Sequence, residues 1–450
     1  MSDPGREPGD HRFVRVAFLA LSTLAILVAT LRPGGSTLPR GWSLSLASGE
    51  AAFAEVIQNL LLFIPLGMAL VWNGVPPRPL RAIAIGAGLS CTVEFIQQWL
   101  PGRDPSVGDI LCNTISTAIG VALVRTAPRW LTVTPRRAAR QSVATALAAA
   151  TVWLGTGALL RPVLPPPPYR DIWNPSFNYW GKYQGNVLSA SLGPLPLSQG
   201  WIDDTSLTDP GRKPGEIEIT PGTLSDPGRQ PGEHPLSARL LLLSGQPLRI
   251  TAIAARRPPG RPSPLVAILD ARDTRVLVVA VDRTDLALHY HIRAVALTLG
   301  QPDLRWRNAL DRIAPGDTFT VQTWRGERGE RGSCLGVNSE RRCGLGYTIG
   351  DGWKLIFYPE HFPGWALTLL NALWVGGWLL GVGYWGGRAA MGGVAIGLAI
   401  VGLALVPALT GLNATPVVEW IGGVAGIVGG YLASGRDRVL KDRLGYYTRP

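Results

Sequence analysis

Eight apolar runs, at residues 13–31, 55–73, 80–99, 107–124, 141–160, 364–385, 389–410 and 416–434, constrain this chain more than any other feature. Each is near the roughly 17–25 residues that a helix needs to cross the hydrocarbon core of a bilayer. A backbone inside the bilayer must satisfy its own hydrogen bonds, so runs of this kind predict helices. Five precede residue 161 and three follow residue 363. Charge is sparse among them, whereas residues 163–360 hold 23 Lys and Arg and 20 Asp and Glu. The expected fold is a polytopic α-helical membrane protein of about eight transmembrane helices with an inserted external β-sandwich domain. No small-residue cleavage pattern follows the first run, where Thr30-Leu31-Arg32-Pro33 makes a poor signal-peptidase site, so that run reads as a retained helix.

Orientation follows from the basic residues. Sixteen lie on one side of the runs: Arg6, Arg12 and Arg15; Arg78 and Arg81; Arg125, Arg129, Arg136, Arg137 and Arg140; Arg388; and Arg436, Arg438, Lys441, Arg443 and Arg449. The short loops of the other side hold three, Arg32, Arg40 and Arg103. The positive-inside bias then puts both termini in the cytoplasm and residues 161–363 outside. The net charge of +12 is accounted for by topology. It is not a nucleic-acid footprint, since no basic patch interleaved with aromatics accompanies it.

The segment outside the membrane reads as strand. Pro162–Pro168 is a proline-rich stem. Candidate strands are Arg239–Leu243, Leu248–Ala254, Leu265–Leu269, Thr274–Val281, Leu286–Ile292, Thr318–Trp324 and Trp353–Tyr358. Several short strands separated by Gly, Pro and Asp argue for a sandwich. Cys334 and Cys343, nine apart in this segment, are expected to form a disulfide in an oxidising compartment. Cys91 and Cys112 lie in apolar runs and read as packing residues. The five histidines are scattered, His289 and His291 share one strand face without further ligands, and no metal or cofactor motif is present. An Asp-Pro-Gly-Arg-x-Pro-Gly-acid octapeptide starts at Asp3, Asp209 and Asp226. Its copies fall on opposite sides of the expected membrane, so they read as exposed turns rather than as a shared binding motif.

The polar residues of the first runs carry the functional information. Three consecutive helices each show an acid followed four residues later by an amide: Glu55 and Asn59, Glu94 and Gln98, Asp109 and Asn113. That spacing puts each pair on one helix face. The expected orientation puts all three pairs, with Gln97 and Arg103, in the outer leaflet. Polar groups at this depth turn to a bundle interior, a partner or a water-filled cavity. The alternative is that they only glue helices together, with Asp109 as a first-turn acid favoured by the helix dipole. The expected binding pocket comprises Glu55, Asn59, Glu94, Gln97, Gln98, Arg103, Asp109 and Asn113.

At these residues the chain resembles the VanZ-like family. The matching motifs are Asn59-x-x-x-Phe63-x-Pro65-Leu66-Gly67, Glu94-x-x-Gln97, Arg103 and Asp109-x-x-x-Asn113, over about residues 13–125. Ser116 stands where the family commonly has Gly. The founding member of that family is associated with low-level resistance to the glycopeptide teicoplanin. The segment outside the membrane resembles, more weakly, the laminin-G/concanavalin A-like sandwiches fused to some VanZ-like proteins. The domain division expected from these readings is a VanZ-like bundle at 1–140, a fifth helix and stem at 141–162, a sandwich at 163–360 and a three-helix region with a basic tail at 361–450.

Two functions fit. One is a binding or accessory protein of a bacterial plasma membrane, with membrane lipid and a lipid-linked or cell-wall glycan as partners. The other is a membrane enzyme acting on a lipid-linked envelope precursor, with Glu94 or Asp109 as general acid or base. The absence from the sequence of a nucleophile–base pair, a metal cluster and a phosphate-cradling glycine loop favours binding.

The basic-residue asymmetry makes a direct prediction. Reporter fusions after Arg140 and Arg436 read cytoplasmic, and one near Pro221 reads external; an internal signal at Pro221 would overturn the topology.

Overall fold

The computed structural model describes residues 9–33, 41–44, 49, 51–74, 79–177, 180–202, 238–257, 259–325, 332–359, 362–388 and 392–444. Eight helices among them are long and apolar enough to cross a membrane, and the chain is an integral membrane protein. The octapeptides at 209–216 and 226–233, and the first copy up to Pro8, lie outside the described residues.

The first bundle contains α1 (Gly9–Leu31), α2 (Ala52–Leu62), α3 (Ile64–Trp72), α4 (Pro79–Gln97) and α5 (Val107–Leu131). One apolar run supplies both α2 and α3. It breaks at Phe63 because Pro65 has no N–H to donate and its ring crowds the carbonyl four residues back. The Phe63 N–H donates instead to the buried Ser116 hydroxyl, 3.0 Å away. Ser116 thus supplies an acceptor for an amide at the helix break. Ile26, Phe63, Leu66, Leu70, Ala82 and Val121 form the bundle core. Where α3 crosses α5, a Cβ on Gly120 would stand 2.2 Å from the Ile64 carbonyl oxygen, and one on Gly67 2.2 Å from that of Thr117. Backbones this close require glycine at both positions.

The second helical group contains α6 (Pro135–Leu159), α8 (Gly364–Gly386), α9 (Gly392–Thr410) and α10 (Val417–Leu444). The α6 helix packs against α8 and α9, and α10 lies along α8. Both α5 and α6 extend well beyond the apolar runs, so Arg125, Arg129, Arg136, Arg137 and Arg140 are helical. Arginine is a good helix former, and its long stem lets the charge reach water from a helix end.

Two antiparallel sheets make the β domain. One contains β1 (Tyr169–Trp173), β5 (Ser263–Asp270), β6 (Arg275–Asp282), β7 (Asp285–Tyr290) and β8 (Leu304–Trp306), paired in that order. The other contains β11 (Glu340–Leu345), β10 (Ser333–Val337), β9 (Thr318–Arg325), β4 (Leu248–Ile253), β2 (Asn186–Leu192) and β3 (Leu195–Leu197), again in spatial order. Leu265, Ile268, Val279 and Leu288 of the first sheet share a core with Ile250, Ala252, Phe319 and Val321 of the second. On β4 and β9 burial alternates, as expected of strands with one solvated face. On β5 both faces are buried, because Phe177 and Trp180 cover Ala267, Leu269 and Val278 from outside. The core continues through Ala149 and Trp153 of α6, Val375 and Leu379 of α8 and Ala399 and Leu403 of α9. The sheets therefore sit directly on the helices. The proline stem is part of this packing: the Val163 N–H donates to the His291 carbonyl at 2.9 Å, and the Tyr169 hydroxyl to that of Pro165 at 2.5 Å.

Two expected strands take other forms. Arg239–Leu243 belongs to α7 (Ala238–Leu243), since a short leucine run carries no period that separates strand from buried helix. Trp353–Tyr358 is not a strand either: a 3-10 helix spans Ile349–Leu355, started by a capping box between Thr348 and Asp351. The sequence reading also missed β1, β2, β3, β8, β10 and β11. A disulfide joins Cys334 of β10 to Cys343 of β11. Cys112 is buried, while Cys91 lies exposed on α4.

The crossing of α3 and α5 supplies a test. Gly120→Val destabilises the folded protein by about 1–3 kcal/mol, as overpacking does elsewhere. The Gly88→Ala change, at a position where a Cβ meets no neighbouring element within 4 Å, does not lower the melting temperature in detergent.

Candidate functional site

The start of α5 organises the polar residues of the first bundle. Ser106 is its N-cap, and the Ser106 hydroxyl accepts the Gly108 N–H at 3.0 Å. This leaves the Ser106 amide itself, which donates to Glu94 Oε2 at 2.9 Å. Glu94, in the last turn of α4 and 2 % exposed, is thereby fixed to the beginning of α5. The 41–44 segment runs beside this joint: the Ser43 N–H donates to the Pro105 carbonyl at 2.9 Å, and the Val107 N–H to that of Ser43 at 3.0 Å.

The end of α1 is held from the same loop. Arg103 Nε donates to the Arg32 carbonyl at 2.9 Å and Arg103 Nη2 to that of Ala29 at 2.8 Å. These carbonyls lie where a helix leaves acceptors unpaired and its dipole favours a cation. Burial lowers the pKa of Arg103; Glu94 opposes that shift, Arg32 adds to it, and Asp109 and Glu55 oppose it more weakly. Gln97 reaches the same helix, donating from Nε2 to the Thr30 carbonyl at 3.0 Å. Gln98 is half-buried in the turn after α4.

Asp109 stands in the first turn of α5, where the helix dipole favours an acid. Its Oδ1 accepts Asn59 Nδ2 at 2.7 Å, so α2 and α5 meet through an acid–amide bond. Glu55, one turn before Asn59, is exposed and lies within the fields of Asp109, Arg103 and Asp104. One turn deeper than Asp109, Asn113 is 1 % exposed. Its Nδ2 donates to Ser90 Oγ at 3.0 Å, but its Oδ1 is buried without a hydrogen-bond partner.

Glu55, Asn59, Glu94, Arg103 and Asp109 therefore gather around one helix start, with Asn113 beneath. Gln97 turns to α1. Sequence reasoning missed Thr30, Ser43, Ser90 and Ser106, and noted Ser116 without its bond to Phe63. Ser106 had a legible signal, being a serine three residues before an acid at a helix start.

A second polar centre also escaped the sequence reading. Glu419 at the start of α10 accepts the Gly350 N–H at 3.2 Å, Asn371 Nδ2 at 3.3 Å and the Thr348 hydroxyl. Asp351 accepts the Thr348 N–H at 2.6 Å, Asn371 Nδ2 at 2.9 Å and the Lys354 ammonium. All four carboxylate oxygens thus have donors within the protein. This centre is a joint between the β domain and the helices. Among the described residues, no group of three or more His, Cys, Asp or Glu side chains is placed to hold a metal ion.

The two bonds from Arg103 to α1 carry a stability prediction. Arg103→Gln costs about 1.5–3 kcal/mol, read as a lower melting temperature in detergent. Arg103→Lys restores little of it, because an ammonium lacks the planar fork that reaches two carbonyls.

The VanZ/LLP1 family model matches residues 16–128, the stretch that holds every residue of this site. Over that stretch, a quarter of the chain, the protein is similar to the VanZ/LLP1 family. No curated protein and no solved structure matches the chain.

Proposed function

We propose that this VanZ-like protein of the cell envelope binds the sugar portion of a lipid-linked or cell-wall glycan at the start of α5. The observation that carries the reading is the Asn113 Oδ1 acceptor, buried and unpartnered beneath Asp109. Leaving such an acceptor unpaired costs roughly 1–3 kcal/mol, which a ligand hydroxyl would return. Glu55 and Asp109 add further acceptors, while two of the Arg103 nitrogens are engaged by α1. A site rich in acceptors suits a hydroxyl-bearing ligand better than an anionic one. Glu94, buried and held by the Ser106 amide, suits a positioning group better than a proton carrier.

In this reading both termini are cytoplasmic, and residues 161–363 face outward beside the site. The two-sheet domain is a laminin-G/concanavalin A-like module that meets a glycan or a protein there. Glycopeptide resistance of the teicoplanin type is the process such binding would serve, by altering access to a wall precursor.

Asp109→Asn tests the site. The new amide keeps an oxygen for Asn59, so expression and melting temperature stay near wild type. Binding of a polyprenyl-linked disaccharide in nanodiscs weakens about tenfold, equivalent to about 1.4 kcal/mol. Unchanged binding with reduced yield would leave helix glue as the role of these residues.

A further inference from the structure

A cavity of about 340 Å³ lies where the two sheets meet the ends of α6 and α9. That volume falls within the roughly 300–1,000 Å³ of small-molecule sites. Leu248 of β4, Leu277 of β6 and Leu304 of β8 line it, all buried. Close-packed interiors do not normally leave a void of this size between two sheets. Leu160, just after α6, and Leu409, near the end of α9, line it as well. Leu409 is 74 % exposed and Leu243 of α7, also lining the cavity, is 53 % exposed. Leu409 lies at the end of a helix long and apolar enough to span, which puts this wall of the cavity near the expected edge of the bilayer.

The polar part of the lining is cationic and donor-bearing. Arg161 and Arg325 line the cavity and are exposed. Within it, the Ser333 hydroxyl contacts the Tyr290 hydroxyl at 3.3 Å, and the buried Thr323 hydroxyl nearby has no well-formed hydrogen bond. Two arginines on the lining of an apolar slot match an anionic head joined to a hydrocarbon chain.

We propose that this cavity is a binding site for an anionic membrane phospholipid, with an acyl chain between the sheets and the phosphate at Arg161 and Arg325. The site shares no residue with the start of α5 and does not rest on the glycan reading. It needs only the position of the cavity at the helix ends.

The test uses the full chain in phosphatidylcholine vesicles that contain phosphatidic acid with a diazirine in its acyl chain, with crosslinks mapped by mass spectrometry. Label is expected on the peptides that carry Leu248, Leu277 or Leu304. Unlabelled phosphatidic acid competes for it and glycerol 3-phosphate does not. Leu277→Trp, which fills the slot, lowers this label about tenfold and leaves label on the exposed Leu24 of α1 unchanged. Arg325→Gln, at an exposed position, weakens competition by phosphatidic acid about tenfold without changing the melting temperature. Should Leu277→Trp fail to fold, Arg325→Gln decides. Label confined to the outer faces of the helices, competition by glycerol 3-phosphate, or equal labelling by diazirine phosphatidylcholine would overturn the proposal.

Discussion

The hydrogen bond from the Ser106 amide to Glu94 is the contact on which the first bundle turns. A helix start leaves amides unpaired, and in an apolar setting each must find an acceptor. Here the acceptors come from the preceding helix and from the cap itself, so α4 and α5 are locked at one level. Arg103 and Gln97 then fasten α1 to the same level through its own unpaired carbonyls. Asn59 adds α2 through Asp109. Four helices are thus aligned by bonds that helix ends require anyway, and the candidate site is a by-product of that alignment. This is why the glue and binding readings share residues. They part most clearly at Asn113, whose buried oxygen serves no helix.

The β domain is coupled to this arrangement. The Phe53 and Ala54 amides at the start of α2 donate to the Thr298 carbonyl at 3.2 and 3.4 Å, and Thr298 Oγ1 also accepts from Phe53 at 3.1 Å. Gln58 donates to the Ile356 carbonyl from the same helix. The helix that carries Glu55 and Asn59 is therefore capped by the β domain. At the opposite end, Trp385 Nε1 donates to the Trp130 carbonyl at 3.0 Å, tying α8 to α5. Displacing the sheets would pull α2 from its cap, and Asn59 away from Asp109 with it.

Much of this was legible in the sequence where one physical signal dominated. Apolar length located the eight spans, because the bilayer allows few alternatives. The i, i+4 acid–amide pairs located Asn59, Asp109 and Asn113, since helical period fixes the face. Less legible were contacts between residues distant in sequence. Glu419 and Asn371 meet Asp351 across 68 and 20 positions, as their distances along the chain give. The strand β11, Glu340–Leu345, is mostly exposed and polar, so no alternation marked it. The apolar run Leu240–Leu243 gave no period at all. Likewise Gly422, Gly426 and Gly430 sit on one face of α10, where a Cβ would meet α8 carbonyls at 2.3, 2.1 and 2.1 Å. Glycine in an apolar run lowers helix propensity, and only the partner backbone explains its use.

The two candidate sites make opposite electrostatic demands. At the start of α5, Glu55, Asp109 and the Asn113 oxygen present acceptors, and Arg103 is bonded to α1. A phosphate brought there would face carboxylates in a medium where like charges a few ångströms apart repel by several kcal/mol. At the cavity beside α9, Arg161 and Arg325 present cations next to leucines, and a neutral sugar would leave an apolar slot unfilled. On the two proposed readings a hydroxyl-bearing ligand occupies the first and an anionic amphiphile the second, and the two sites share no residue.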